Sequence, residues 1–586
     1  MFMIKTKRLL TMQIFFLAIF ALFLKANAAA SVTQRGCVYK DSTGAISFTS
    51  NVSRVCVAKA SYVDSSFTKS NFGKLRVDTS RNFSDEDQMY AAGFIEGYLT
   101  AHRIYDSYFN MRAYFVEQLE ADLDDPIEWL TKQEAWARQQ AEWYGSRSNF
   151  WYAIKILLRQ FDGLVDGYHA RSDAETGQDP KIFVPWLSRQ NLTFVNGNGD
   201  IYDIIDALEH GHNPFRASHV LDSSSPSPET MDRAYLSRMI LKGRCSALVK
   251  ATSDLSDILF GHATWDTYTA SLRIYKHYRF QLSNPHVKGN YMSFSSYPGE
   301  LLSDDDFYLL GSKMVVLETT NHIFNFDIYK SLSPSTVVSW QRVRAANLLA
   351  TNAAEWVQIF SIDNSGTYNN QYLVLDLARF KPRETLKPGI LTIVEQLPGM
   401  IRTTDATEQL ARGYWASYNV AYFPEIYAAA GYDLQVARID ASRKAAAAAG
   451  NDSAAADQSF QFAMDWLTYQ TSPRANIFRR DQSMAEDVDG LKRVMRGNGY
   501  PNDPLSRGNP TGAVCGRGDL LPEDERLAKG CYDGKVGSVA MALRLESEVV
   551  NGPTVGGSGG GGASGSGSGG NKERKKEKEK EKEKEK

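Results

Sequence analysis

The chain has 586 residues, room for two to four average domains or for one large single-core enzyme. A hydrophobic content of 43%, with 12% aromatic residues, supplies a sizeable core and excludes a disordered protein. Basic and acidic residues nearly cancel, 66 against 68, and a net charge of −2 leaves no concentrated basic surface for nucleic acid.

Residues 1–28 read as a secretory signal. Lys5, Lys7 and Arg8 form a basic start, the run 9–24 is apolar, and Ala26-Asn27-Ala28 is a small-x-small cleavage site. The apolar run is shorter than the ~20 residues that span a bilayer, which favours cleavage over a signal anchor. No later run is long enough to span. The mature chain is therefore expected in the lumen of the secretory pathway or secreted, without a transmembrane anchor. Four Asn-x-Ser/Thr sequons, at Asn51, Asn82, Asn191 and Asn451, fit that route as glycosylation sites.

Residues 31–80 read as short strands and turns. Ser84 then opens a helix whose first turn carries Asp85, Glu86 and Asp87, suited to the positive end of the helix dipole. Met89, Ala92, Phe94, Ile95, Tyr98, Leu99 and His102 recur at helical spacing and predict one buried face. Further helices are expected near 127–145 and 149–168. In the second, Trp151, Ile154, Leu157, Leu158 and Phe161 make a core stripe rather than a cofactor box. Residues 171–181 and 210–230 read as loops, with the Ser/Pro-rich stretch 223–228 as the clearest internal linker. From 245 the texture turns to β: strands are predicted at 246–251, 257–264, 313–319, 371–377 and 389–395, several as continuous apolar runs covered on both faces. Helices are predicted at 335–358, 406–430 and the Ala-rich 442–449. From Asn551 the chain becomes Gly/Ser-rich, then Lys/Glu-rich, a segment with nothing to bury.

The five cysteines fall into two close pairs and one remainder. In an oxidising compartment, Cys37–Cys56 and Cys515–Cys531 are expected as local disulfides, which leaves Cys245 unpaired. A buried, inert thiol is the ordinary fate of a free cysteine. The setting of Cys245 invites a second reading. It lies in Gly243-Arg244-Cys245-Ser246-Ala247-Leu248-Val249-Lys250, between a turn signal and a strand, and Gly261-His262-Ala263-Thr264-Trp265-Asp266 follows shortly after.

Dispersed stretches carry a resemblance in the same order along the chain. They are Ala91-Ala92-Gly93-Phe94-Ile95-Glu96-Gly97-Tyr98-Leu99-Thr100, the segments around Cys245 and His262, Ser296-Tyr297-Pro298-Gly299, Glu318-Thr319-Thr320-Asn321, and Asn364-Ser365-Gly366-Thr367-Tyr368-Asn369-Asn370-Gln371. Glu395-Gln396-Leu397-Pro398-Gly399, Tyr414-Trp415-Ala416-Ser417-Tyr418-Asn419 and Asp503-Pro504-Leu505-Ser506 complete the set. Over about residues 36 to 540 the chain resembles the phospholipase B-like family, lysosomal or secreted proteins of the N-terminal-nucleophile hydrolase superfamily. That resemblance implies an α+β fold, a four-layer αββα sandwich, made as a precursor and cut autocatalytically between Arg244 and Cys245. The fragments 29–244 and 245–550, the latter followed by the 551–586 tail, would stay associated around one core. Cys245 would be the nucleophile, with His262 orienting or polarising it and Trp265 walling the acyl pocket. Thr320 would hold the Cys245 amine or the substrate, Asn369 or Asn370 would donate to the oxyanion, and Asp266 is the less fixed pocket position.

The chemistry fits that implication. A thiol attacks as thiolate, and a free cysteine with a pKa of roughly 8.5 needs a base or a nearby positive charge. Once Cys245 is a chain terminus, its own α-amine is that base, or a thiolate–ammonium pair forms instead. Gly243 permits a strained turn before the scissile bond. Ser246 is the alternative nucleophile, with no base assigned by spacing. The expected reaction is removal of acyl chains from phospholipids through a thioester acyl-enzyme, with no cofactor and no metal. The alternatives are a lipid or small-molecule amidase of the same fold, or a binding glycoprotein with little turnover. The expected partners are the acylated lipid and the chain's own cleaved fragment, and a homo-oligomer is left open.

Overall fold

In a computed structural model, residues 33–177, 183–211, 236–237, 239–240, 245–450 and 454–554 are described. The signal segment, the 223–228 linker, Gly243, Arg244, Asn451 and the tail from 555 lie outside them.

Alternate residues of the central strands point into different cores, as the two-residue strand period requires. In β5 (Ser246–Ala251), Ala247, Val249 and Ala251 face one core and Leu248 another. In β6 (Ile258–Ala263), Ile258 and Phe260 join the first set, and Leu259 and Ala263 the second. These strands belong to a five-stranded antiparallel sheet ordered β15 (Tyr414–Ser417), β5, β6, β17 (Asp533–Ser538), β18 (Glu548–Asn551).

A larger sheet of eleven strands packs against it. It begins with β1 (Gln34–Lys40), β2 (Ile46–Thr49), β3 (Ala58–Val63) and β4 (Phe72–Thr79). It continues with β8 (Arg273–Arg279), β9 (Tyr291–Ser296), β10 (Phe307–Leu310), β11 (Met314–Thr320), β12 (Asn370–Asp376), β13 (Leu391–Leu397) and β14 (Met400–Asp405). The order is β14-β13-β12-β11-β10-β9-β8-β4-β3-β1-β2, and the sole parallel pair in it is β4–β8. That pair joins strands from either side of Cys245 into one sheet. A short ribbon pairs β7 (Trp265–Thr267) with β16 (Lys529–Cys531).

Phe72, Leu309, Leu317, Leu373 and Ile393 of the large sheet meet Val249, Phe260 and Trp415 of the small one. The other face of the large sheet, through Leu75, Tyr278, Tyr308 and Val374, shares a core with helices. These are α1 (Asp85–Ala113), α2 (Asp124–Tyr144), α3 (Asn149–Glu175), α4 (Arg189–Asn196), α5 (Asn198–Gly211), α6 (Ser339–Leu349) and α7 (Ala353–Phe360). The small sheet's other face meets a later set. α8 (Thr407–Ala411) instead sends Leu410 into the core between the sheets, and the later set comprises α9 (Pro424–Ala429), α10 (Tyr432–Ala448), α11 (Ala454–Trp466), α12 (Pro473–Asp481) and α13 (Val488–Met495). The fold is mixed α+β, with two large sheets and helices. Both predicted disulfides are present, Cys37–Cys56 and Cys515–Cys531, and Cys245 is free and buried.

Ser84 caps α1 through the Asp87 amide. α1 and α3 lie unusually close. A Cβ on Gly93 would stand 1.8 Å from the Gln160 carbonyl oxygen, and one on Gly163 would stand 1.9 Å from that of Tyr90. Such contact wraps α1 on most sides, so its buried surface is broader than a single stripe. His102 is a correction: it points outward, half-exposed, and pairs with Glu175 at 3.2 Å.

Other boundaries also shift. The 171–181 loop begins later than predicted, because α3 runs on to Glu175. The expected helix 335–358 is two helices, α6 and α7. Residues 406–430 are not one helix: α8, the strand β15 and α9 divide them, since Tyr414-Trp415-Ala416-Ser417 pairs with 247–250 of β5. β18 runs through Asn551, and the Thr554 carbonyl accepts from Arg517, so ordered packing extends past the boundary expected at 551. Strands β8 and β17 escaped the sequence reading because they carry Arg273, Lys276 and Lys535, fully buried cations neutralised by Asp305, Glu96 and Asp533.

Candidate active site

Cys245 immediately precedes β5, 2% exposed, and adopts φ +75°. The left-handed region costs a non-glycine residue of order 1–3 kcal/mol, so the surrounding fold must hold it there. Two cross-strand registers order its neighbours. Ala247 pairs with His262 across β5–β6, and His262 pairs with Lys535 across β6–β17. Residues directly opposite share a sheet face. The imidazole therefore stands between the start of β5 and a buried ammonium. Glu318, near the end of β11, completes the group: the Cys245 thiol, a His262 nitrogen and a Glu318 carboxylate oxygen lie within 4.8 Å of one another. A Cys/His/carboxylate set also has the donor chemistry that zinc accepts.

His262 Nε2 donates to the Glu318 carbonyl oxygen at 3.0 Å, which fixes Nδ1 as the lone-pair nitrogen. Nδ1 is buried and has no hydrogen-bond partner among the described residues. Burial, aided by Lys535, pushes the imidazole pKa down to about 3, so it stays neutral at any physiological pH. Burial and then the Glu318 charge push the Cys245 thiol well above its ordinary value, against the pull of Lys535 and the Trp265 backbone N–H. Cys245 therefore carries a neutral thiol, which needs a base before it can attack a carbonyl.

Behind this group lies a closed charge network. Asp305 accepts from Arg273 at 2.7 Å and Lys535 at 2.5 Å, and Lys535 also reaches Asp533 at 2.9 Å. Burial alone would raise the Asp305 carboxyl, but Arg273 and Lys535 hold it well below the usual carboxylate range. Two cations and two anions cancel, which is what makes full burial tolerable.

Arg474 on α12 fixes the main chain at Cys245. It donates to the Cys245 carbonyl at 2.7 Å, the Ser246 hydroxyl at 3.1 Å, the Tyr418 carbonyl at 2.6 Å and Asn419 Oδ1 at 2.7 Å. Its guanidinium stacks on Trp265 and Trp466, 4.7 and 4.4 Å from their rings. Trp265, 1% exposed, is pinned further by its indole N–H to the Val514 carbonyl. The Ser246 hydroxyl donates to that same carbonyl, so this alternative nucleophile is committed as a structural donor.

The remaining predicted positions divide. Thr320 stands half-buried at the end of β11, its hydroxyl 3.5 Å from a Glu318 carboxylate oxygen. It lines a cavity with Tyr368, Asn321, Asp206 and Lys529. Asn370 pairs with Thr320 across β11–β12 and gives one amide hydrogen to the Tyr372 hydroxyl, the other finding no acceptor among the described residues. Asn369 gives its amide hydrogens to Asp203 and the Gly366 carbonyl, which leaves none for an oxyanion. Asp266 is buried, 3.6 Å from Lys529 at the cavity wall. Asn51 and Asn82 are exposed, while the Asn191 amide donates to the Tyr108 hydroxyl.

Three residues with no role assigned from sequence belong to the site: Glu318, Tyr368 and Arg474. Tyr368, at φ +53°, sets its hydroxyl 3.4 Å from Glu318 Oε1. Glu318 and Tyr368 fall inside stretches that carried the resemblance. Arg474 has no local signal.

Among the described residues, no helix is long and apolar enough to cross a membrane. The family model described as phospholipase B matches residues 58–444 and 452–564. Human phospholipase B-like 1 is 37% identical over 478 residues, spanning 82% of this chain and 77% of that protein. Phospholipase B of Crotalus adamanteus is 36% identical over 509 residues, 84% of this chain and 82% of its own. Phospholipase B-like protein C of Dictyostelium discoideum is 32% identical over 504 residues, 85% and 81%.

Proposed function

The chain belongs to the phospholipase B family, and from that premise we propose that it is a self-processing cysteine hydrolase that removes acyl chains from phospholipids. The observation that carries the reading is the buried thiol at the head of β5, within 4.8 Å of an imidazole nitrogen and a carboxylate oxygen. A four-layer αββα sandwich of the N-terminal-nucleophile type agrees with the three cores, one between the sheets and one on each outer face.

In the first stage, Cys245 Sγ attacks the carbonyl carbon of residue 244. The C–N bond breaks, the Cys245 nitrogen takes up the proton, and a thioester forms. Water then cleaves that thioester, releasing the carboxylate of residue 244 and the free thiol. The fragments stay together through the β4–β8 pairing.

In the second stage, the α-amine of Cys245 takes the thiol proton as sulfur attacks the acyl ester. Glu318, whose charge opposes a bare thiolate, stabilises the ammonium formed beside it. Neutral His262 orients the thiol and the later water without competing for the proton. The remaining Asn370 amide hydrogen is the proposed oxyanion donor. The ammonium protonates the departing lysophospholipid alcohol, leaving the thioester. Water, losing its proton to the amine, then releases the fatty acid and restores the thiol. Thr320, Trp265 and Asp266 are assigned to the pocket. Passage through the secretory pathway, to the lysosome or outside, fits the two disulfides, and among the described residues Asn51 and Asn82 are exposed glycan acceptors.

The test is the N-terminal sequence of the larger fragment of the mature protein, with fatty-acid release from phosphatidylcholine measured beside release from N-acyl amides. A fragment beginning at Cys245 and release from the phospholipid support the reading. A different start, or release from amides alone, overturns it.

A further inference from the structure

Cys245, His262 and Glu318 are all buried and offer a sulfur, a nitrogen and an oxygen donor within 4.8 Å of one another. Zinc holds sulfur at about 2.3 Å and nitrogen or oxygen at about 2.0–2.2 Å, so donors around it stand roughly 3.3–3.6 Å apart. Side-chain movements of at most about 1.5 Å close the group onto one ion. The outer contacts are those of a metal ligand. His262 gives its Nε2 hydrogen to the Glu318 carbonyl at 3.0 Å, the kind of tie that fixes the tautomer of metal-bound histidines. The buried Nδ1 is left with a lone pair and no hydrogen-bond partner among the described residues. The Tyr368 and Thr320 hydroxyls stand 3.4 and 3.5 Å from the two Glu318 oxygens, long contacts that an ion displaces at little cost. Arg474 holds the Cys245 carbonyl, so Sγ turns on a fixed main chain. The charges also balance. A zinc ion with a thiolate, a carboxylate and a neutral imidazole adds no net charge, and behind it Arg273 and Lys535 are matched by Asp305 and Asp533.

We propose that Cys245, His262 and Glu318 form an inhibitory zinc site, which when occupied stops both chain cleavage and lipid hydrolysis. The inhibition rests on the cysteine-nucleophile reading above. On binding, the thiol proton passes to solvent and a sulfur electron pair is shared with zinc, which lowers its reactivity toward a carbonyl. No bond of the chain breaks and nothing is oxidised or reduced, so removing the ion restores the thiol. The ion enters through the cavity that Thr320 and Tyr368 line. In the processed chain the Cys245 α-amine, on the same residue as Sγ, takes the fourth position in a small chelate ring. In the uncut chain that nitrogen is an amide, and water takes its place.

The experiment uses the processed full-length protein, stripped of metal by a chelator that is then removed, with Zn²⁺ or Co²⁺ alone as the probe. One equivalent of Zn²⁺ should bind, and fatty-acid release from phosphatidylcholine should fall in step with occupancy and return when EDTA is added. Co²⁺ in its place should show sulfur-to-cobalt charge transfer in the near ultraviolet, a signature that a merely structural role for these side chains would not produce. Glu318→Gln should weaken Zn²⁺ binding by about 100-fold or more, beyond the usual cost of losing an outer contact. Glu318→Asp should restore part of it, and thermal melting reports whether each variant is folded. Failure to take up one equivalent of Zn²⁺, cobalt bound without the sulfur band, or unchanged affinity in folded Glu318→Gln overturns the zinc site while leaving phospholipid hydrolysis standing. Full hydrolysis with the metal on the Cys245 sulfur overturns the nucleophile reading, and the inhibition with it.

Discussion

Arg474 donates a 2.7 Å hydrogen bond to the main-chain carbonyl of Cys245, across 229 residues of sequence. The same guanidinium binds the Ser246 hydroxyl and the Tyr418 carbonyl and packs against the rings of both Trp265 and Trp466. It therefore fixes the peptide plane that sets where Sγ points. Arg474→Lys keeps the charge and loses the planar fork. Fragment formation should slow by about 100-fold, or ~2.7 kcal/mol in the barrier, while the pH at which cleavage is half-maximal stays put. A shifted pH profile would mean that Arg474 acts on the titration of the thiol rather than on its position.

His262 gives a prediction about acid stability. Its folded pKa is about 3, against roughly 6.5 for an unfolded histidine. Between those values the unfolded chain binds a proton that the folded chain refuses. Stability must then fall as pH falls through that window, by about 1.4 kcal/mol per unit from this group alone. His262→Gln, compared with wild type by urea unfolding of the uncut chain at pH 7 and pH 4.5, should lose roughly 2–3 kcal/mol less on acidification. Equal losses in both proteins would show that His262 is already protonated when folded.

Lys535 stands at the centre of the buried charges, between Asp305 at 2.5 Å and Asp533 at 2.9 Å, all three fully buried. Lys535→Met leaves two carboxylates facing Arg273 alone. Removing one partner from a buried ionic group costs about 3–5 kcal/mol because an uncompensated charge remains. The variant should unfold at lower denaturant, with the larger loss at pH 7 than at pH 4, where protonation relieves the surplus anion. A loss that does not change with pH would point to packing rather than charge.

How far these features were legible in the sequence follows from where their partners lie. β5, β6, β11, β12 and β13 are continuous apolar runs covered on both faces, and each was predicted to within about two residues. β8 and β17 read as polar because Arg273, Lys276 and Lys535 are neutralised by Asp305, Glu96 and Asp533, groups whose proximity only folding creates. β15 was lost inside a predicted helix, since its reason for being a strand is its pairing with β5. The site divides the same way. The setting of Cys245 and His262 showed in the local order of residues, and the resemblance gave them roles. The contacts that hold them, from Arg474, Lys535 and Glu318, arrive from distant strands and helices.

The two long N-terminal helices meet through glycine, and this gives a packing test. Gly93→Ala improves intrinsic helix propensity by about 1 kcal/mol. The added Cβ, however, would stand 1.8 Å from the Gln160 carbonyl oxygen, a main-chain atom that cannot swing aside. α1 and α3 would have to separate, opening gaps along the whole contact, so the net result should be a loss of about 1–3 kcal/mol. Gly163→Ala, whose Cβ would stand 1.9 Å from the Tyr90 carbonyl, should behave alike for the same reason. The double variant is the decisive case. Once the first methyl has pushed the helices apart, the second enters space already opened, so the combined loss should fall short of the sum. Denaturation midpoints of the two single variants and the double variant measure this directly. A strictly additive pair would mean that each glycine answers to its own surroundings rather than to one shared helix contact.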